Sequence, residues 1–443
     1  MFLPGAVSLC IEILERAGFE AYAVGGCVRD SLLGKDPHDY DLCTNATPQQ
    51  IAELFADYTL VRAGEKHGTI GVVIEKEVIE ITTFRTDGGY RDGRHPDWVR
   101  FVSCIEEDLA RRDFTINAMA YNPSRGYVDP FGGQRDLQAG ILRTVGTPED
   151  RFSEDALRIL RGVRFAVRFG LQGEEKTLQA MTALAPMLDK LAKERVFDEL
   201  CKLLPLVSAE DLSTYQDILV QVVPVLSDCI GFAQHNSHHL YDVYTHTAHV
   251  VEAVPADLTL RWAALLHDCG KPACFQLDEK GKGHFYGHAK VSAQLADNLL
   301  LLLKAPNALR ERVVFLVGHH MTELTPDKKL LRKWLGKYGV DVVFDLLTLQ
   351  QADFEGKGTG KECGDFAEIR SLLEEILKEA SCLTIQDLAV DGRDLLAVGF
   401  SAGKMLGACL NYLLEQVQDE QLPNEKQALL DSAKTYLLAD IPQ

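Results

Sequence analysis

Apolar residues at Leu9, Ile11, Ile13 and Leu14 give the segment from Pro4 to about Ala17 one greasy face, which predicts a helix. Pro4 suits its first turn and Gly18 its stop. Residues 21–24 form a short apolar run that reads as a strand. It breaks at Gly25-Gly26, and a helix is expected from Val28 to Gly34. Thr47-Pro48 opens another helix, with Thr47 as N-cap, running to about Phe55. Residues 67–74 and 78–84 are β-branched around Glu75-Lys76-Glu77 and predict a hairpin. Residues 108–120 are expected to start a helix, with Phe114, Ile116 and Met119 packed inward. A longer helix is expected over 149–170, capped at Ser153. There Leu157, Leu160, Val163 and Ala166 form the core face, and Asp155, Arg158, Arg161, Arg164 and Arg168 form a polar stripe. Residues 171–230 are Leu- and Ala-rich with helical periods. Amphipathic helices are expected again at 402–416 and 425–438.

The pattern predicts a multidomain α+β protein. It comprises a head with a small mixed sheet over 1–140, an all-helical neck over 141–230, a body over 231–360 and a helical tail over 361–443. A chain of 443 residues is long enough for several domains with real cores. No run of about 18 apolar residues exists, so no membrane-spanning helix is expected. A secretory leader is not expected either, because no basic stretch precedes an apolar one at the start. The 11 cysteines include no C-x-x-C pair, which reads as reduced thiols of a cytoplasmic protein. Net charge is −19, which argues against indiscriminate nucleic-acid binding but not against a local basic groove. Residues 1–170 hold 17 Arg and only 3 Lys. Arg is the choice where phosphate or base edges need planar, two-pronged recognition, although surface salt bridges use it too.

Asp39 and Asp41 stand two apart, so on a strand they share a face. Two carboxylates that close repel unless a cation, most simply Mg²⁺, joins them. Glu80, on a neighbouring strand, could supply a third oxygen ligand or simply face solvent. Gly25-Gly26 lets backbone N–H groups approach a phosphate at a helix start. Each piece alone also has a bland reading, a turn or a solvated loop. Together, in this order, they describe a nucleotidyl-transfer layout of the polymerase-β kind. Residues 85–96 are polar and Gly-rich and read as a mobile loop beside it. Arg111, Arg112, Asp113 and Asn117 could serve a triphosphate and a ribose hydroxyl together. Asp155 can accept from the exocyclic amine that cytosine and adenine share, while Arg158 donates to the adjacent ring acceptor. The plain alternative is an i,i+3 salt bridge.

These strings closely resemble the tRNA nucleotidyltransferase and bacterial poly(A) polymerase family, densely over the first 200 residues. The matching residues in the opening stretch are Gly25, Gly26, Val28, Arg29, Asp30, Leu33, Gly34, Asp39 and Asp41. Arg-Arg-Asp-Phe-Thr-Ile-Asn-Ala over 111–118 matches at every fixed position, and Asp155 with Arg158 matches the Glu-Asp-x-x-Arg of the bacterial class. The resemblance implies that Asp39 and Asp41 are catalytic Mg²⁺ ligands. It implies that Gly25, Gly26, Arg29, Arg111, Arg112, Asp113 and Asn117 hold the nucleotide. Asp155 and Arg158 would select the base, with Arg161 and Arg164 near phosphates. The 85–96 loop lies where the family links a flexible loop to the switch from C to A addition. Residues 193–200 and 403–407 are also family-like, the latter resembling a tail that grips tRNA. The implied partners are tRNA, ATP and CTP, with no membrane; the oligomeric state stays open.

Beyond residue 231 a second centre emerges. His235, His238 and His239 cluster, followed by His246, His267-Asp268, His288, His319-His320 and Asp353. The set His246, His267, Asp268 and Asp353 resembles the HD phosphohydrolase superfamily and implies a divalent metal of unknown identity. A degenerate version kept for packing is the alternative. The expected function is template-independent addition of C, C and A to tRNA 3′ ends. Addition of A alone, poly(A) synthesis, HD-type phosphohydrolysis as the main activity, and RNA binding with dead sites are the rivals. A loop at 85–96 weighs against a pure CC-adder, and the intact aspartate pair weighs against dead sites.

Overall fold

The computed structural model describes residues 1–88, 98–235, 240–358, 365–379 and 382–439. The chain divides into two compact units, Met1–Val207 with Asp211–Pro224, and Ser208–Glu210 with Val225–Gln443.

The first unit opens with α1 (Gly5–Arg16), β1 (Ala21–Val24), α2 (Gly26–Leu32), β2 (Asp41–Thr44) and α3 (Pro48–Leu54). Helix α3 starts as its sequence predicts. Thr47 Oγ1 accepts from the Gln50 N–H, and the Gln50 side chain accepts from the Thr47 N–H. Strands β3 (Thr59–Val61), β4 (Thr69–Ile74), β5 (Glu77–Thr83), β6 (Arg85–Gly88) and β7 (Trp98–Phe101) follow. The β4–β5 hairpin turns on Glu75 and Lys76, both left-handed (φ 51° and 74°), with Glu77 already in the strand. Next come α4 (Ile105–Ala110), β8 (Ala120–Asn122), β9 (Gly126–Val128) and α5 (Gly133–Gln138).

Seven strands form one mixed sheet in the order β3-β4-β5-β2-β1-β8-β9, in which only β2 and β5 run parallel. Strand alternation sorts the side chains. Ala21, Ala23, Leu42, Ile79 and Ile81 pack with Leu14, Ile51 and Phe55 from α1 and α3. Tyr22, Val24 and Cys43 face the other way, onto Ile105 and Leu109 of α4. Asp41 and Glu80 belong to this second face. Each fully buried side chain of Leu or Phe size contributes about 1.5–3 kcal/mol to holding the sheet.

After the sheet come β10 (Ile141–Leu142), α6 (Pro148–Glu154), α7 (Leu157–Phe169), β11 (Gln172–Gly173), α8 (Glu175–Leu184), α9 (Lys193–Leu203), α10 (Ala209–Thr214) and α11 (Gln216–Leu219). The region read as an all-helical neck thus contains a short parallel pair, β10 with β11.

Four more local expectations are corrected. Helix α2 begins at Gly26, two residues early. Arg85–Gly88 is strand, paired with Trp98–Phe101, and the rest of the expected loop, 89–96, lies outside the described residues. No helix runs from 108 to 120: α4 ends at Ala110, and Thr115–Asn117 is a single 3₁₀ turn. The Asp113 carboxylate accepts from the Phe114 N–H (2.8 Å) and Asn117 Nδ2 (3.0 Å), competing with helical pairing. Thr115 N–H meanwhile pairs with the Arg143 carbonyl. The expected helix over 149–170 is two helices. Pro48-like geometry recurs at Thr147-Pro148, so Ser153 lies inside α6 and caps nothing. Asp155 between them is extended (φ −148°, ψ 102°), and its Oδ1 accepts the Leu157 N–H at 3.1 Å, starting α7.

The second unit is built mainly of helices: α12 (Val243–Ala253), α13 (Leu258–Leu266), α14 (Lys271–Cys274), α15 (His288–Leu302), α16 (Asn307–His319), α17 (Lys328–Tyr338), α18 (Val340–Gly356) and α19 (Phe366–Lys378). A short ribbon, β12 (Gln276–Leu277) with β13 (Gly283–His284), lies between α14 and α15. Helices α20 (Gly392–Ala397), α21 (Lys404–Gln418) and α22 (Lys426–Ala439) close on their own core of Leu395, Cys409, Leu413 and Leu429. Among the described residues, no helix is long and apolar enough to cross a membrane.

Candidate active site

Strand β2 starts at Asp41, so Asp39 precedes the strand instead of sharing it. Asp39, Asp41 and Glu80 nevertheless line one cavity. The parallel register places Glu80 directly beside Asp41, and neighbouring residues in register point to the same face. Partial burial, then the Glu80 and Asp39 carboxylates, push the Asp41 carboxyl above its ordinary pKa, with Arg112 opposing. Three carboxylates lining one cavity form an all-oxygen donor set whose mutual repulsion a divalent cation would relieve.

A cleft of 510 Å³ adjoins Asp41. Six arginines (Arg29, Arg111, Arg112, Arg158, Arg161 and Arg195) and three aspartates (Asp41, Asp113 and Asp155) line it. In a chain of net charge −19 this is a local positive site, suited to a triphosphate. Gly25 and Gly26 form its floor. Gly25 has φ +73°, and a Cβ there would stand 2.7 Å from Arg112 Nη1, so glycine alone fits without displacement.

Buried acids hold these arginines. Asp108, fully buried, accepts from Arg111 Nη2 at 2.9 Å and pairs with Arg112 at 3.5 Å. Arg161 donates to Asp113 through Nε (2.8 Å) and Nη2 (2.7 Å). Asn117 bridges the other way, its Oδ1 accepting from Arg29 Nη1. Arg29 also lies 4.4 Å from the Phe169 ring centroid. Burial opposes the Asp113 charge, but Arg161, Asn117 and the Phe114 N–H overcome it and bring its pKa down to about 2.

Arg158 does not pair with Asp155. It donates to Glu154 and to the Arg151 carbonyl. Asp155 instead accepts from Arg195 Nη2 at 2.7 Å. Arg164 is not among the cleft's lining residues. Its buried guanidinium donates to Glu199 of α9. Steps of three fall short of a helical turn by about 60°, so the arginine stripe wraps around α7. Leu157, expected in the core, is half-buried and lines the cleft. Asp108, which pairs with two of the cleft's arginines, and Arg195, which lines the cleft, were not assigned to the site from the sequence. Asp108 stood three and four residues before the arginines it holds, a legible signal. Arg195 lies 40 positions from Asp155, with no spacing to connect them.

In the second unit, His246 (α12), His267 and Asp268 (after α13) and Asp353 (α18) converge. His246 Nε2 lies 3.0 Å from Asp353 Oδ1 and 3.4 Å from Asp268 Oδ2. His267 Nε2 lies 3.1 Å from Asp268 Oδ2. All four are buried. His288 and His320, absent from the expected set, approach the same aspartate. His319 points elsewhere, stacking 4.1 Å from the Phe315 ring. His238 and His239 lie outside the described residues.

Comparison with known proteins agrees with the head's geometry. The Poly A polymerase head domain family matches residues 21–143. The family described as probable RNA and SrmB-binding site of polymerase A matches 170–210, and tRNA nucleotidyltransferase domain 2 (putative) matches 284–433. The CCA-adding enzyme of Lactiplantibacillus plantarum is 34% identical over 436 residues, covering 96% of this chain and 94% of the relative. That of Levilactobacillus brevis is 35% identical over 424 residues, covering 95% of each. The crystal structure of the Bacillus stearothermophilus CCA-adding enzyme in complex with CTP superposes with a TM-score of 0.72 at 28% identity, covering 99% of both chains. With a third of its residues shared along nearly its whole length and the same fold, this chain belongs to the family of CCA-adding enzymes, the tRNA nucleotidyltransferases.

Proposed function

We propose that the chain adds C, C and A in turn to the 3′ end of tRNA, using CTP and ATP, releasing pyrophosphate and needing no nucleic-acid template. The observation that carries this reading is one cleft that joins the Asp41 carboxylate face to six arginines and Asp155. Asp39 and Asp41, with Glu80 beside them, suit Mg²⁺ by their hard oxygen donors. Ions held there would supply charge neutralisation and acidify the RNA 3′-hydroxyl. Arg111 and Arg112, fixed by Asp108, meet the triphosphate with no reorganisation of their own. Asp113 and Asn117 hold the sugar side of the cleft. Asp155 accepts from the amine of cytosine or adenine, and Arg158 donates to the neighbouring ring acceptor. Uracil and guanine present a carbonyl there and meet a carboxylate. The 3′-hydroxyl gives up its proton to solvent as its oxygen bonds to the α-phosphorus in line, and the bond from that phosphorus to the β-phosphate oxygen breaks, so that pyrophosphate leaves.

The test offers tRNAs ending at the discriminator base, at C and at CC, with each NTP singly and mixed, and sequences the products. Addition of C, C and A to the bare tRNA is expected. A lone A added only to the CC-ended tRNA would make it an A-adding specialist, and long A tails a poly(A) polymerase.

The buried centre favours a second reading alongside the first. His246, His267, Asp268 and Asp353 are a mixed imidazole and carboxylate set that suits a divalent transition metal. Such an ion would supply activated water against a phosphoester, as in HD phosphohydrolases. Metal-dependent phosphatase activity is then expected to survive Asp41→Ala and to disappear in Asp268→Ala.

A further inference from the structure

Resting on the proposed nucleotide cleft, we infer that Phe169, which does not line that cleft, is a positioning residue for the reaction. Its ring holds the Arg29 guanidinium in the place from which Arg29 meets the nucleotide.

Arg29 lines the cleft from α2 with only 4% of its surface exposed. A charge so deeply buried must find in the protein what water would have given it. Polar partners hold its edges. Nε lies 2.9 Å and Nη2 2.7 Å from Asp30 Oδ1, and Nη1 donates to Asn117 Oδ1. These contacts leave further guanidinium N–H groups for a ligand. Edge contacts alone let a planar group tilt, and two rings limit that tilt. Arg29 Cζ lies 4.4 Å from the Phe169 centroid and 5.4 Å from that of Phe165. A cation over a ring is drawn to its electron-rich face, the more strongly where water is excluded.

Helix α7 explains how the rings come to be there. Arg161, Phe165 and Phe169 stand four apart, so they share one face. Arg161 and Phe165 line the cleft, and Phe169 lies one turn beyond it. Phe165 is itself fixed by Phe114, edge-on at 5.9 Å and 82°. It stacks on Phe169 with centroids 6.2 Å apart and planes 20° apart. Gly170, left-handed at φ +62°, ends the helix straight after Phe169. The Phe169 ring is half-buried, and it gathers cations: Lys35 Nζ and Arg168 Cζ each lie 5.2 Å from its centroid.

A chain of contacts then runs from the ring into the cleft. Phe169 holds Arg29, and Arg29 donates to Asn117. Asn117 Nδ2 donates to Asp113, which pairs with Arg161. Every member except Phe169 lines the cleft. The ring therefore acts on the nucleotide only through Arg29, and its loss should fall on nucleotide affinity. Replacing Phe165 would instead alter the cleft wall directly, so Phe169 gives the cleaner test.

Isothermal titration of the full-length chain with CTP and with ATP, each with Mg²⁺, supplies that test. The parent should bind both. Phe169→Leu should weaken both by about 3- to 30-fold. Phe169→Tyr, which keeps a ring face, should stay within about threefold of the parent. In steady-state addition, Phe169→Leu should raise the KM for nucleotide and leave kcat and the KM for tRNA within about twofold. In an Arg29→Gln background, Phe169→Leu should have no further effect. Equal loss in the Leu and Tyr variants, or full additivity with Arg29→Gln, reduces Phe169 to packing and overturns the inference. Should circular dichroism show Phe169→Leu misfolded, phenylalanines carrying one, two and three ring fluorines at position 169 keep the shape and weaken the ring face. CTP affinity falling with each fluorine supports the inference, and an affinity indifferent to them overturns it. A parent that binds neither nucleotide overturns the reading of the cleft itself. A parent that binds both, with Phe169→Leu binding equally well, overturns only the role of Phe169.

Discussion

Arg195 Nη2 donates to Asp155 Oδ2 at 2.7 Å, joining residues 40 positions apart. The bond fixes one carboxylate oxygen while Leu157 N–H holds the other. A carboxylate clamped at both oxygens presents its remaining lone pairs in one direction. Charge-assisted bonds of this kind are worth about 1.5–3 kcal/mol. Arg195→Ala is therefore expected to lower kcat/KM for CTP and ATP by about 10- to 100-fold. Asp155→Asn, which keeps the helix start but adds a donor, should relax the choice among bases. Steady-state kinetics with all four NTPs measures both; an unchanged CTP-to-UTP ratio in Asp155→Asn would count against its selecting role.

Asp41→Ala should abolish addition and leave tRNA binding and thermal stability near those of the parent, because Asp41 lines the cleft and belongs to neither apolar cluster of the sheet. Glu80→Gln is expected to act more mildly. It removes the neighbouring charge that raises Asp41, and with it one oxygen donor. The Mg²⁺ concentration for half-maximal rate should rise several-fold, with kcat at saturating Mg²⁺ within about tenfold of the parent. A metal titration of initial rates separates the two effects.

Asp113 has a pKa brought from 3.8 to about 2 by Arg161, Asn117 and the Phe114 N–H, against the opposing effect of burial. A depressed folded-state pKa stabilises the fold above the unfolded value, and that stability fades as pH falls through the folded one. The first unit should thus lose about 2 kcal/mol between roughly pH 4 and pH 2 from this group alone. Asp113→Asn should flatten that part of the acid limb in urea unfolding followed against pH. It should also destabilise the protein at neutral pH, since Arg161 loses its counter-charge.

Gly25→Ala meets two obstacles, a left-handed backbone and the Arg112 guanidinium at 2.7 Å. The backbone strain costs about 1–2 kcal/mol, while the guanidinium can swing aside. A modest fall in Tm together with a larger rise in KM for nucleotide is expected, measured by thermal melts and initial rates on one preparation.

Much of this was legible in the chain. The Thr47 cap, the β4–β5 hairpin and the two closing helices stand where periodicity and turn residues put them. Asp41, Asp113, Asn117, Asp155 and Arg158 converge as local spacing and resemblance suggested. What stayed hidden was decided by partners distant in sequence. The stretch 111–117 leaves the helix because Asp113 and Arg143 capture its backbone. Arg164 is drawn to Glu199, and Arg195 to Asp155. His288 and His320 joined the buried cluster around Asp268 for the same reason: no period links them to Asp268, and only helix packing does.

The break between α6 and α7 gives Asp155 two grammatical roles. It is the punctuation that separates two helices and, on the proposed reading, also a letter in the message the cleft reads. A larger or apolar residue at 155 would erase the comma along with the word, merging the helices as it silenced the carboxylate. Only the few short polar side chains that can accept the Leu157 N–H would keep the helix start.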